Sequence, residues 1–143
     1  MLFWRISEYA VLDGMGGMVA AGRWNERGRP IVYMADSSAL AMLEVLVHLE
    51  VRMIPPPFQL LEIAVPDDIA VEEAPAALLD TPAESAAWGS AWLAERRTAL
   101  LRAPSIIAPG GFNWLLNPLH PDAAGAQVTR QARWPWDSRL FPA

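Results

Sequence analysis

The stretch GRWNERGRPIVYMADSSALAMLEVLVHLE, residues 22–50, decides the fold because it joins a loop, a strand and a helix. Its arginine- and glycine-rich beginning predicts a turn, and IVYMA at 31–35 predicts a β-strand. The polar trio at 36–38 supplies the N-cap of a helix expected over 39–51. A strand followed at once by an apolar helix is typical of a mixed α/β or α+β architecture.

A carboxylate interrupts the apolar face of that helix. Successive residues are turned by about 100°, so that one stripe carries four aliphatic side chains and Glu44 lies among them. The stripe consists of Leu40, Leu43, Val47 and Val51. Burying an ionised carboxylate is costly unless it is paired. Two interpretations stay open: a structural pair with His48 one turn later, or a functional group in the floor of a ligand pocket.

The remainder of the chain mixes predicted strands and helices in a single domain, 1–143. We expect a first or edge strand at 2–6, further strands at 58–65 and 104–109, an extended segment at 127–136, and a helix at 85–101. Prolines 55–57 end the first helix. Loops are expected at 13–17 and 112–122, and an acidic, proline-rich surface excursion at 67–84. Trp88 and Trp92 share one helix face, which indicates core packing.

Composition excludes several classes of function. The chain has no cysteine and no lysine, which removes thiolate chemistry, Schiff bases and a P-loop lysine. Its net charge of -5 argues against nucleic-acid binding. With two histidines and no HExxH-like helix, we expect no metal. The longest apolar run is too short to cross a bilayer and no signal-peptide pattern occurs, so we expect a cytoplasmic protein.

Four arginines lie among the first 29 residues. A guanidinium group fits two phosphate oxygens at once, so each is a candidate ligand for phosphate. For Arg27 and Arg29, in the predicted turn, solvation is the favoured interpretation. Arg5, and Arg23 next to a Trp-Asn pair, remain candidates for binding. Tyr33 offers a ring for stacking and a phenol for orienting a ligand, or it is a core residue.

Several motifs occur in a characteristic order along the chain. GRWNERG at 22–28 precedes a tyrosine-bearing strand and ALAMLEVLVHL; PS at 104–105, NWLLNPLHPD at 113–122 and WDSRLF at 136–141 follow. In order and spacing, from Arg5 to Arg139, the sequence resembles the RES-domain toxins of bacterial toxin–antitoxin pairs. That family is named for an Arg, a Glu and a Ser.

The resemblance implies an ADP-ribosyltransferase-like fold with NAD as the substrate. Members transfer ADP-ribose to a target protein or degrade NAD by phosphorolysis or hydrolysis. It also implies a partner, an Xre-like antitoxin that blocks the active site, and therefore a hetero-oligomer. The alternative that stays open is a non-catalytic module that binds a nucleotide or a partner protein.

The resemblance also assigns the site residues. The catalytic set would be Arg23, Tyr33, Glu44 and Ser105; the NAD-binding set would be Arg5, Arg23, Tyr33, Ser105, Asn113 and Asn117. Glu44 would meet positive charge on the ribose, the arginines would clamp phosphate, and the tyrosine would stack on nicotinamide. Ser105 would form a hydrogen bond with the ribose or the nicotinamide amide and is not expected to be a nucleophile, because no base is evident beside it. The tryptophans of 134–136 are either a partner surface or part of the core.

Overall fold

The computed structural model describes residues 1–49 and 57–141 of the chain. They contain seven strands: β1 (Leu2–Ser7), β2 (Val32–Ala35), β3 (Gln59–Ala64), β4 (Val71–Glu73), β5 (Leu100–Pro104), β6 (Phe112–Leu116) and β7 (Gln127–Arg133). All seven belong to one sheet, in the order β4-β5-β6-β2-β1-β3-β7. Neighbouring strands are antiparallel except β4 and β5, which are parallel.

Three α-helices accompany the sheet in the described part of the chain. They are α1 (Met15–Val19), α2 (Ser38–Leu46) and α3 (Pro82–Glu95). Short 3-10 helices occur at Ala76–Leu78, Pro121–Gly125 and Ser138–Leu140. The expectation of a mixed α/β fold is therefore confirmed.

Helix α2 begins where the sequence predicts and ends earlier. The Ser37 side chain accepts a hydrogen bond from the Leu40 N–H at 3.1 Å, which confirms the N-cap. The last helical residue is Leu46, so the prediction of a helix over 39–51 is too long. The end of that prediction, at 51, and the first two prolines of 55–57 lie outside the described residues.

Other predicted boundaries were wrong. The predicted strand at 104–109 lies too late, since β5 ends at Pro104, and the predicted turn at 112–122 contains β6. The excursion at 67–84 includes β4, and the loop at 13–17 contains the start of α1. Helix α3 ends at Glu95, because Arg96 turns into the left-handed region with φ 50°. Strand β1 is the first strand of the chain, as one of the two alternatives predicts, and it lies in the interior of the sheet instead of at an edge.

Both faces of the sheet are covered, as alternation along β5 and β6 demonstrates. Leu100 and Leu116 lie in one buried cluster, whereas Leu101 and Leu115 pack into another with α3. Successive residues of a strand point to opposite faces, which explains this division. Trp92 is fully buried in the α3 cluster, and the core packing predicted for its helix face is confirmed.

A loop at 21–26 packs directly on α3. Trp24 of this loop is buried and meets Trp88 edge-on, with the ring centroids 5.9 Å apart. The backbone approaches the helix so closely that a Cβ on Gly89 would lie 1.9 Å from the Trp24 carbonyl oxygen. Only glycine at this helix position permits the approach.

We expect Gly89→Ala to destabilise the protein by about 1–3 kcal/mol, because backbone must move to admit the methyl group. Chemical denaturation of the variant and the wild type measures this difference. The matched control is Gly16→Ala in α1, where a Cβ would meet nothing within 4 Å; it should be neutral or stabilising by about 0.5–1 kcal/mol. Equal stability of the two variants would contradict the close approach.

Candidate active site

A cavity of about 1060 Å³ lies where β1, β2, α2 and the loop at 21–26 come together. Five of the seven site residues expected from the sequence line it: Arg5, Arg23, Tyr33, Glu44 and Asn113. The sheet register explains part of this grouping. Ala35 of β2 lies opposite Trp4 of β1 on one side and opposite Asn113 of β6 on the other.

Glu44 is half-buried on α2 and is held from the neighbouring strands. Its Oε1 accepts a hydrogen bond from Asn113 Nδ2 at 3.2 Å and a long one from Ser105 Oγ at 3.5 Å. Among the described residues, none donates a hydrogen bond to Oε2. The carboxylate is thus fixed through one oxygen and keeps the other available to a ligand.

The structural pair between Glu44 and His48 does not form. Helix α2 ends at Leu46, so that His48 leaves the helical path. No ion pair within 1–49 and 57–141 joins the two side chains. His48 lines the same cavity as Glu44 without forming an ion pair with it.

Ser105 contacts the site through Glu44. It is buried just after β5, does not belong to the cavity lining, and its Oγ accepts the Ala108 N–H at 3.1 Å. Both contacts orient the hydroxyl, and among the described residues no histidine or second carboxylate forms a hydrogen bond with it. The geometry therefore suits a group that orients a carboxylate.

Arg5 brings a positive charge to the cavity from the centre of the sheet. Its Nη1 donates to the Tyr33 carbonyl oxygen at 2.8 Å. Burial lowers the pKa of the Arg5 guanidinium from its ordinary value, and the charge of Asp13 partly opposes this. A guanidinium group remains protonated at neutral pH despite such a shift.

The Tyr33 hydroxyl both donates and accepts a hydrogen bond within the protein. It donates to Asn25 Oδ1 at 2.6 Å and accepts the Trp24 N–H at 3.1 Å. Burial raises the pKa of this hydroxyl well above its ordinary value, although the Trp24 N–H and the Arg23 charge act in the opposite direction. The Tyr33 side chain can therefore offer its ring to a ligand, while its one hydroxyl proton is already donated.

Arg23 is exposed at the edge of the cavity, on the loop that contains Trp24. Its Nη1 donates to the Leu79 carbonyl oxygen at 2.6 Å, just after the 3-10 helix of the acidic excursion. The excursion thus has a structural link to the site, which its sequence does not indicate.

Of the seven expected site residues, Asn117 is the one that neither lines the cavity nor forms a hydrogen bond with Glu44. It is buried after β6, where its Nδ2 donates to the Leu93 carbonyl oxygen at 3.0 Å and its Oδ1 accepts the Leu119 N–H at 3.1 Å. These bonds connect α3 to the following turn. The structure does not bring Asn117 into the cavity lining.

The rest of the cavity lining is mainly apolar, including Trp4, Val45, Phe58, Ile106 and Ile107. Trp136 meets Phe58 edge-on at 6.0 Å and Trp134 at 6.3 Å. The rings of 134–136 thus fold back on the core, as one of the two interpretations of this segment predicts. Trp136 thus packs against Phe58, which is part of the cavity wall.

Within 1–49 and 57–141, no three His, Cys, Asp or Glu side chains are grouped as a metal ion would require. None of the helices in the same ranges is long and apolar enough to span a membrane.

Comparison with known proteins identifies the family. The RES domain model matches residues 2–137, so the chain belongs to the RES domain family, and the resemblance seen in the sequence is confirmed. It is 42% identical over 146 residues to the Pseudomonas putida protein "Toxin Res", with 99% of this chain and all of that one covered. It is 41% identical over 154 residues to the Sphingobium "Prs ADP-ribosylating toxin", covering 97% and 96%.

The fold has a counterpart among solved structures. A chain of the M. tuberculosis MbcT–MbcA toxin–antitoxin complex superposes with a TM-score of 0.74, covering 93% of this chain and 83% of that chain. The identity is 20%, so the comparison supports the fold alone.

The engaged Tyr33 hydroxyl predicts a pH dependence. In a Tyr9→Phe variant, the remaining tyrosine should form phenolate only well above its ordinary pKa of about 10, as read from ultraviolet absorbance. Since the folded-state pKa is raised, the stability contributed by Tyr33 is complete below about pH 10 and declines above it. The stability difference between wild type and Tyr33→Phe should therefore shrink from about pH 10 upward. Phenolate formation near pH 10 in the folded protein would contradict burial.

Proposed function

We propose that this protein is the toxin of a toxin–antitoxin pair and that it cleaves the nicotinamide–ribose bond of NAD. The observation that carries the proposal is Glu44, fixed through one oxygen in a cavity that also contains two arginines. A volume of about 1060 Å³ lies at the upper end of the range for small-molecule sites, as a dinucleotide requires. The names of the relatives support both the toxin role and the use of ADP-ribose.

Glu44 stabilises the transition state in this proposal. When the C1′–N bond breaks, its electron pair leaves with nicotinamide and positive charge develops on the ribose. A carboxylate already held in place interacts more strongly with that charge than with the neutral sugar, which lowers the barrier. Asn113 and Ser105 hold Oε1, so Oε2 is the atom that faces the sugar.

The two arginines recognise the pyrophosphate. Arg5 approaches from the sheet and Arg23 from the loop at 21–26, so phosphate oxygens can be held from two directions. The Tyr33 ring supplies an apolar contact for the nicotinamide end. Asn117, which lies outside the cavity lining, has no contact with NAD in this proposal.

Either a protein or a small molecule completes the reaction. Transfer of ADP-ribose to a protein side chain and breakdown by phosphate or water use the same departure of nicotinamide and differ in the acceptor. The Sphingobium relative, 41% identical, is named for ADP-ribosylation, which favours transfer to a protein.

An antitoxin completes the proposed system. The apolar lining of the cavity suits a protein segment that enters it and excludes NAD. By the resemblance, this partner is an Xre-like protein that forms a hetero-oligomer with the toxin in the cytoplasm. The M. tuberculosis protein of the same fold was solved as a toxin–antitoxin complex.

We expect Glu44→Gln to fold normally and to lose NAD turnover by on the order of a hundredfold or more, because the neutral amide cannot balance charge on the ribose. Release of nicotinamide from NAD measures the rate, and thermal unfolding checks the fold. The control is Glu8→Gln, an exposed carboxylate outside the cavity lining, which should retain full turnover. Normal turnover by Glu44→Gln would refute the assignment.

The acceptor is identified with NAD labelled in its ADP-ribose part. Incubation with cell lysate should label a protein band if ADP-ribose is transferred, whereas added phosphate should give labelled ADP-ribose phosphate if NAD is phosphorolysed. Hydrolysis would yield free ADP-ribose under either condition. A wild-type protein that binds NAD and releases no nicotinamide would support the non-catalytic alternative.

A further inference from the structure

Asn25 uses its whole side chain to hold the loop at 21–26. The residue is buried, and its Nδ2 lies 3.4, 3.2 and 3.1 Å from the carbonyl oxygens of Gly17, Ala20 and Glu26. Its Oδ1 accepts the hydrogen bond of the Tyr33 hydroxyl at 2.6 Å. Asn25 therefore joins α1, the loop and β2 from a buried position outside the cavity lining.

Helix α3 holds the same loop from the other side. Ser85 Oγ donates to the Arg23 carbonyl oxygen at 2.6 Å, and Ser90 Oγ accepts the Glu26 N–H at 2.9 Å. The absence of a side chain at Gly89 lets the loop approach. The Arg23 backbone is thus clamped between α3 and the Tyr33–Asn25 pair.

The guanidinium of Arg23 is also oriented. Its Nη1 donates to the Leu79 carbonyl oxygen, while in the described part of the chain no hydrogen bond involves Nε or Nη2. Those two nitrogens form one edge of the guanidinium, the geometry that binds two oxygens of one phosphate. A group held in this way loses little conformational entropy on binding.

We propose that Asn25 and the Tyr33 hydroxyl are positioning residues that aim the Nε–Nη2 edge of Arg23 at the pyrophosphate of the substrate. This inference rests on the proposed function for the identity of its ligand. The Tyr33 hydroxyl takes no part in the chemistry, because its proton is donated to Asn25 and it receives the Trp24 N–H. Loss of either group therefore weakens binding through Arg23.

The test measures KM and kcat for NAD in Tyr33→Phe and Asn25→Ala. Each should raise KM about tenfold or more and leave kcat within about twofold, because Arg23 in this proposal holds the pyrophosphate equally well in the ground state and in the transition state. Tyr33→Phe removes a single oxygen, so it serves if Asn25→Ala does not fold. In an Arg23→Ala background, both substitutions should have no further effect on KM, because the group they position is missing.

Two controls separate positioning from general destabilisation. Ile63→Val, in the core and outside the cavity lining, lowers stability and should leave KM unchanged. Arg27→Ala removes an exposed arginine of the same segment and should leave both constants unchanged. Hydrogen exchange of the Trp24 amide reports the loop directly and should accelerate about tenfold or more in Tyr33→Phe.

An unchanged KM in Tyr33→Phe would overturn the inference, and so would a KM effect that persists in the Arg23→Ala background. A fall in kcat with KM unchanged would show that the Tyr33 hydroxyl acts in the chemistry and would overturn it as well. If the wild type does not cleave NAD, the proposed function fails by itself. The affinity for ADP, measured by calorimetry, then decides: weaker binding by Tyr33→Phe supports positioning, and equal binding overturns it.

Discussion

The antiparallel pairing of β2 with β1 and β6 is the constraint on which the site depends. This pairing places Ala35 between Trp4 and Asn113, and α2, which starts shortly after β2, packs on β1 and β2. Asn113 can then donate to Glu44, a residue 69 positions away in the chain. A shift of one residue in this register would turn Asn113 to the other face of the sheet and leave the carboxylate without that hydrogen bond.

Around the Glu44 carboxylate, some polar atoms are held by hydrogen bonds within the protein, and others are left for a ligand. Glu44 Oε1, the Tyr33 hydroxyl and Arg23 Nη1 are all bound by the protein, whereas no described residue donates to Glu44 Oε2 and none binds the other edge of Arg23. Groups fixed before the ligand arrives stabilise charge without reorganising, which is the main source of electrostatic catalysis. Glycine at 89 and the serines of α3 serve the same purpose, since they let the loop lie directly on the helix.

The local elements around residues 22–50 could be predicted because their signals are local. A capping serine, alternating apolar residues and a following apolar helix act within a few residues, so β2 and the start of α2 were located well. The order of motifs pointed to the RES domain family and to Arg5, Arg23, Tyr33, Glu44 and Asn113, which the fold brings to one cavity. Strand β4 was missed because its three residues, VEE, form a strand through pairing with β5, and β6 was missed because it was grouped with the turn residues that follow it.

The sequence by itself determined the mixed α/β class, the family and five of the seven expected site residues that the cavity brings together, since these depend on residue type and order. The tertiary structure alone decided how those residues are used. In the structure, the Glu44 carboxylate accepts hydrogen bonds from Asn113 and Ser105 and does not pair with His48. Asn117 lies between α3 and a turn. The Tyr33 hydroxyl donates its hydrogen bond to Asn25. Hydrogen-bond partners far apart in the chain are set by the packing of the sheet and helices, and sequence spacing carries no record of that packing.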